Sequence, residues 1–240
     1  MELQIESAVF TAILIGCAGY AALFIAPDES TMHAIQRIFY FHAPVAWAGM
    51  DAFAVTFIAN IAYLATKRPK WDWIGVASAE VGLVFTTTVL ITGPIWAHPV
   101  WGIWWTWEAR LTSTLLLWLL YVAYVMLRKM VDTPERAASY AAIFGIFAYL
   151  DVPLVYLSIR FWRTQHPAPV VFGGAGSGLD PEMSKVFFFC VLVMHCLMVI
   201  LVRQRYQLER LRYEIHEARL AAEDYAARAE SFPAVPKEIV

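Results

Sequence analysis

Trp101-Gly102-Ile103-Trp104-Trp105-Thr106-Trp107-Glu108-Ala109-Arg110 lies between two apolar runs, residues 73–95 and 111–127, and sets four tryptophans beside a Glu/Arg couple within ten residues. Indole is amphipathic and settles at a membrane interface, so one or two tryptophans here would form an ordinary aromatic belt. Four ask for another reason. Trp101, Trp104 and Trp105 stand at i, i+3 and i+4, so a short helix would show them on one face as an apolar shelf. Such a shelf suits a flat aromatic ligand, and it suits equally a helix lying against lipid.

Outward from this segment, runs of about twenty mostly apolar residues recur at 7–26, 40–65, 73–95, 111–127, 138–160 and 184–202, the length a bilayer demands of a helix. The chain is 60% hydrophobic and 16% charged, with mean hydropathy +0.56, far from a soluble profile. The fold class is therefore an all-α integral membrane protein: six transmembrane helices, an outer tryptophan-rich segment and a C-terminal cytoplasmic helix. Residues 1–202 form the six-span membrane domain, with the tryptophan-rich segment at 96–110, and residues 203–240 a helical tail. The first run is flanked by Glu2 and Glu6 and lacks a basic lead-in, so it reads as a retained span and not as a cleaved signal.

Ten basic residues (Lys67, Arg68, Lys70, Arg128, Lys129, Arg136, Arg203, Arg205, Arg210 and Arg212) fall on one side of the spans, and five on the other. The positive-inside rule then makes both termini cytoplasmic and turns the tryptophans outward. A formal net charge of -2 gives no ground for a nucleic-acid partner; lipid is the expected surroundings. Cys17, Cys190 and Cys196 sit in apolar runs without a Cys-x-x-Cys pair, which argues for packing and against a covalent haem attachment.

The outer connections on either side of the tryptophans each carry a histidine, in Arg37-Ile38-Phe39-Tyr40-Phe41-His42-Ala43-Pro44 and Arg160-Phe161-Trp162-Arg163-Thr164-Gln165-His166-Pro167. A lone histidine at an interface is usually only a polar anchor. Two on the side of an aromatic shelf shift the balance, because two neutral imidazoles can fill both axial positions of a porphyrin iron. Arginine beside each offers a forked cation suited to a propionate. His195 reads as packed or hydrogen-bonded inside the sixth span, His98 as an outer support for the site, and His33 and His216 as unconnected with it.

Asp51, Glu80 and Asp151 are acidic residues within spans, where a carboxylate is costly. Asp51 and Asp151 fall at similar depths, roughly 13 Å from the outer ends of their spans at 1.5 Å per residue. A hydrogen-bonded pair between them, or a proton or ligand pathway, would account for both. Pro94 and Pro153 are placed to kink helices around a cavity. In the tail, Leu208, Leu211, Ile215, Ala218, Ala222, Tyr225 and Ala229 follow 3,4 spacing, a thin seam for docking on a partner or on the protein's own loops.

Trp101 to Ser113 resembles the "WWD" signature of the haem-handling proteins of cytochrome c biogenesis, the CcmC/CcmF/CcsA superfamily. Together with Arg37 to Pro44, Leu90-Ile91-Thr92-Gly93 and the stretch from Pro153 to His166, it is similar to the haem exporter protein C (CcmC) family over residues of about 30 to 210. The resemblance implies His42 and His166 as axial ligands of the haem iron, a shelf of Trp101, Trp104, Trp105 and Trp107 against the macrocycle, and Arg37 and Arg110 on the propionates. Glu108 stands where the family usually has aspartate, one methylene longer. The resemblance further implies transient, non-covalent haem b at the outer face of a bacterial inner membrane. From there haem would pass to a haem chaperone, CcmE, within an ABC-type complex with CcmA, CcmB and CcmD. The chain has no P-loop, so ATP hydrolysis would belong to a partner and this protein would not be an enzyme. Two alternatives remain: a haem b electron-transfer subunit of the membrane, or a synthetase component that loads cytochrome c directly.

Overall fold

The computed structural model describes residues 2–162, 164–166, 170–171 and 178–231. Its helices are α1 (Glu2–Tyr20, continued by a π turn Ala21–Ile25), α2 (Phe39–Thr66), α3 (Pro69–Trp101), α4 (Ala109–Met130), α5 (Pro134–Tyr149), α6 (Asp151–Phe161) and α7 (Pro181–Ser231). Six helical stretches are long and apolar enough to cross a membrane, with α5 and α6 sharing one. The expected six spans are present, and all but the first are longer than their apolar runs.

Local chemistry sets the boundaries. Lys67 ends α2 in the left-handed region at φ 54°, and Pro69, needing no N–H partner, starts α3 two residues on. Gly102 ends α3 at φ 72°, a backbone geometry that glycine adopts freely. The fifth span breaks because Pro153 has no N–H to give the Tyr149 carbonyl, so α5 stops at Tyr149 and α6 starts at Asp151.

Helix α2 is the hub, packed on α3, α5 and α7, while α1 packs on α7. Small residues let α2 and α3 approach closely: a Cβ on Gly82 would lie 2.5 Å from the Phe53 ring, which stacks on Tyr121 at 3.6 Å. The outer surface is apolar, with Phe10, Ile58, Val84, Leu192 and Val199 exposed as lipid-facing side chains should be.

The carboxylates do not pair as expected. Asp51 lies 2.9 Å from His195 Nε2, and Asp151 is buried with no hydrogen-bond partner among the described residues. Equal depth fixes only height along a helix; each residue turns the side chain by about 100°, and that rotation separates the two. His195 also donates from Nδ1 to the Val191 carbonyl at 2.7 Å, so both ring nitrogens are committed, as the hydrogen-bonded reading holds. Glu80 pairs with Arg205 at the opposite end of the bundle from the tryptophans.

Helix α7 runs without a break through the membrane stretch into the tail, where Tyr206 and Tyr213 contact Trp73 at ring centroid distances of 5.9 and 5.4 Å. The tail's first turns therefore dock on its own chain. Leu208, Leu211, Ile215 and Tyr225 of the seam are exposed, and Ala229 lies outside the described side chains. Removing residues 218–240 keeps both tyrosine contacts, so the truncated protein should melt in detergent within a few degrees of the full chain. A large drop would mean that the distal tail supports the bundle.

Candidate functional site

The start of α2, the end of α3, the start of α4, the end of α6 and the start of α7 converge on a cavity of about 960 Å³. This matches the upper range of small-molecule pockets. Phe39, Trp47 and Phe187 form part of its apolar wall, with Phe39 stacked on Phe187 at 4.8 Å and Trp47 edge-on to Phe187 at 5.4 Å. His42 and His166 both line it, from α2 and from the connection after α6.

Each histidine is held by its Nδ1. His42 Nδ1 lies 2.8 Å from Thr92 Oγ1, and that hydroxyl lies 2.8 Å from the Thr88 carbonyl. A carbonyl only accepts, so the hydroxyl proton goes to Thr88 and the Thr92 oxygen accepts from the imidazole. Gly93, next along α3, lies beside the ring: a Cβ there would meet His42 Cε1 at 3.5 Å, ordinary van der Waals contact. His166 Nδ1 lies 2.5 Å from Glu108 Oε1, and Glu108 Oε2 accepts from the Thr164 hydroxyl and, at 2.8 Å, from the Gln165 N–H. Burial pushes the His166 imidazole below its ordinary value, the Arg110 charge adds to this, and Glu108 only partly opposes it. Burial raises the Glu108 carboxyl, but hydrogen bonds from Thr164 and His166 outweigh it and leave the acid below the usual carboxylate range. Neutral imidazole donating to a carboxylate follows. Both histidines thus carry hydrogen on Nδ1 and leave Nε2 with a bare lone pair.

The cavity also holds donors without acceptors. Trp96 Nε1 and Trp105 Nε1 are buried and unpaired among the described residues, and Arg110 lines the same cavity. Buried donors left this way cost free energy unless something accepts from them. The residues therefore fit a large flat apolar ligand with acidic groups at its edge and a metal that takes two imidazoles.

The tryptophans are arranged otherwise than their spacing suggests. Trp101 closes α3, Gly102 turns the chain, and residues 103–108 are not helical, so no i, i+3, i+4 face exists. Trp101, Trp104 and Trp105 nevertheless line the cavity. Trp104 is stacked on His98 at 4.2 Å. Trp107 meets Trp105 edge-on at 5.6 Å but is 75% exposed and stands outside the lining. Arg37 is also outside it: its guanidinium donates to the Ala22 and Leu23 carbonyls and to Asp28 at 2.9 Å, clamping the end of α1. Arg163 lies outside the described residues. Thr92 and Trp96 are site residues that the sequence reading passed over, although Thr92, Gly93 and Trp96 share one face of α3 at 1,4 spacing.

Fold and site define a class: a six-span helical membrane protein with a two-histidine, donor-rich aromatic cavity at one end. A family model described as Heme exporter protein C matches residues 2–222, and the chain belongs to that family. The match takes in the first span and the start of the tail, beyond the stretch on which the resemblance rested. Among proteins named Heme exporter protein C, that of Bradyrhizobium diazoefficiens is 36% identical over 187 residues, 78% of this chain and 69% of the relative. That of Haemophilus influenzae is 29% identical over 205 residues, 85% of this chain and 83% of the relative. That of Paracoccus denitrificans is 29% identical over 201 residues, 83% and 81% of the two chains.

Proposed function

We propose that this protein captures haem b non-covalently at the outer face of the bacterial inner membrane, between His42 and His166, and hands it to the haem chaperone CcmE for cytochrome c maturation. CcmA, CcmB and CcmD complete the complex, with ATP hydrolysis supplied by CcmA. The observation that carries this reading is the pair of imidazoles, each tied at Nδ1 to a neighbouring side chain, that line one aromatic cavity. Haem would supply an iron that accepts both nitrogens and propionates that accept hydrogen bonds. Arg110 offers the forked cation for a propionate, and the Trp96 and Trp105 N–H groups are two further donors. Thr92 and Glu108 hold the imidazoles in the ligating tautomer, while Phe39, Trp47 and Phe187 exclude water from one wall. Nothing in this arrangement needs a bond to haem carbon, which suits delivery.

Titrating the purified protein with haemin tests this: one haem per chain, six-coordinate and low-spin, that leaves on addition of purified chaperone. Haem that stays bound and cycles reversibly between oxidation states without transfer would overturn it in favour of an electron-transfer subunit. Replacing Trp96 and Trp105 together by leucine keeps the wall apolar but removes two donors and two flat surfaces. Haem affinity should fall at least tenfold, about 1.4 kcal/mol, while the residual spectrum stays six-coordinate. An unchanged affinity would show that the indoles take no part in capture.

A further inference from the structure

The two imidazoles face partners of different charge. Thr92 is a neutral hydroxyl whose own proton is spent on the Thr88 carbonyl, so it accepts weakly from His42 Nδ1 at 2.8 Å. Glu108 is a carboxylate, 2.5 Å from His166 Nδ1, and its side chain is 8% exposed. A carboxylate behind a ligating histidine draws on its N–H and raises the basicity of the opposite nitrogen, and a hydroxyl does so far less. Glu108 also gathers the Thr164 hydroxyl and the Gln165 N–H, so one side chain sets the position of three successive residues of a non-helical connection. His42 needs no such help because α2 carries it.

Resting on the haem-binding reading above, we infer that Glu108 is a positioning residue that makes His166 the stronger of two unequal axial donors. Thr92 leaves His42 the weaker. Stronger donation stabilises ferric over ferrous iron, so the Glu108–His166 couple biases bound haem towards the oxidised state.

Redox titration of haem-loaded protein reads the effect directly. Glu108→Gln should raise the potential by about 59 mV, the equivalent of a tenfold loss in the ferric-to-ferrous affinity ratio for one electron. Thr92→Val should shift it by less than a third of that. Separating action through His166 from a mere nearby charge needs His166→Gly, with the missing ligand supplied as free imidazole or as 1-methylimidazole. Both refill the coordination position, but only imidazole has an N–H to give Glu108. Adding Glu108→Gln to His166→Gly should raise the potential with imidazole bound and leave it unchanged with 1-methylimidazole. Equal shifts with the two ligands, or none with either, would overturn the inference. This series stays informative if Glu108→Gln alone loosens residues 164–166, since the free ligand replaces that connection's imidazole. A wild-type protein that binds no haem, or binds it without two histidines, would instead sink the haem-binding reading.

Discussion

His42→Ala and His166→Ala should each turn six-coordinate haem into a five-coordinate high-spin species and weaken its binding by more than the roughly 10–100-fold that loss of an outer-shell partner costs. Both side chains line one cavity and both offer Nε2 with Nδ1 occupied. The spectra should differ in kind: with His166 gone, the remaining ligand is His42 on the neutral Thr92, and with His42 gone it is His166 on the Glu108 carboxylate. The double variant should retain only haem held by aromatic contact and Arg110. Absorbance and magnetic circular dichroism on the purified variants decide the matter. If both single variants kept a six-coordinate low-spin spectrum and undiminished transfer, the ligand assignment would fall. His195 is a poor reserve ligand, since Asp51 and the Val191 carbonyl occupy both its ring nitrogens.

Run lengths made the six spans readable from sequence, because hydropathy over about twenty residues reflects a single physical demand, the satisfaction of backbone groups in lipid. Side-chain chemistry singled out His42 and His166, the family resemblance added Glu108 and Arg110, and the structure brings all four to one cavity. Rotation and turns escaped. The tryptophan shelf assumed helix continuing through Trp105, yet Gly102 two residues before Trp104 was the ordinary signal of a helix end. Arg37 was assigned by proximity in sequence to His42; its guanidinium points back to the end of α1, which no periodicity shows. Asp51 and Asp151 were matched on depth alone, and azimuth, which depends on how each helix packs, placed Asp51 against α7 instead. The reach of Glu108 to a connection 56 to 58 residues later likewise depends on α4 and α6 lying side by side.

At the other end of the bundle, Asp72→Ala should destabilise the fold by about 3–5 kcal/mol, the usual cost of stranding one member of a buried ion pair. Asp72 lies in the first turn of α3 and Arg128 in the last turn of α4, so each charge also complements its own helix dipole. Their contact is bidentate, 2.6 and 2.8 Å, with side chains only 14% and 16% exposed. Two parallel bonds from a planar guanidinium fix relative position as well as energy. The pair therefore staples α3 to α4, the two helices whose far ends carry Thr92 and Arg110. Alanine at position 72 leaves a mostly buried guanidinium without its bidentate carboxylate, whereas Arg128→Met added to Asp72→Ala removes the stranded charge and should recover most of the loss. Thermal melts in detergent, followed by size-exclusion of the surviving fraction, measure both. If the double variant were no more stable than Asp72→Ala alone, lost packing by the Arg128 stem would be the cause and the stranded charge would not.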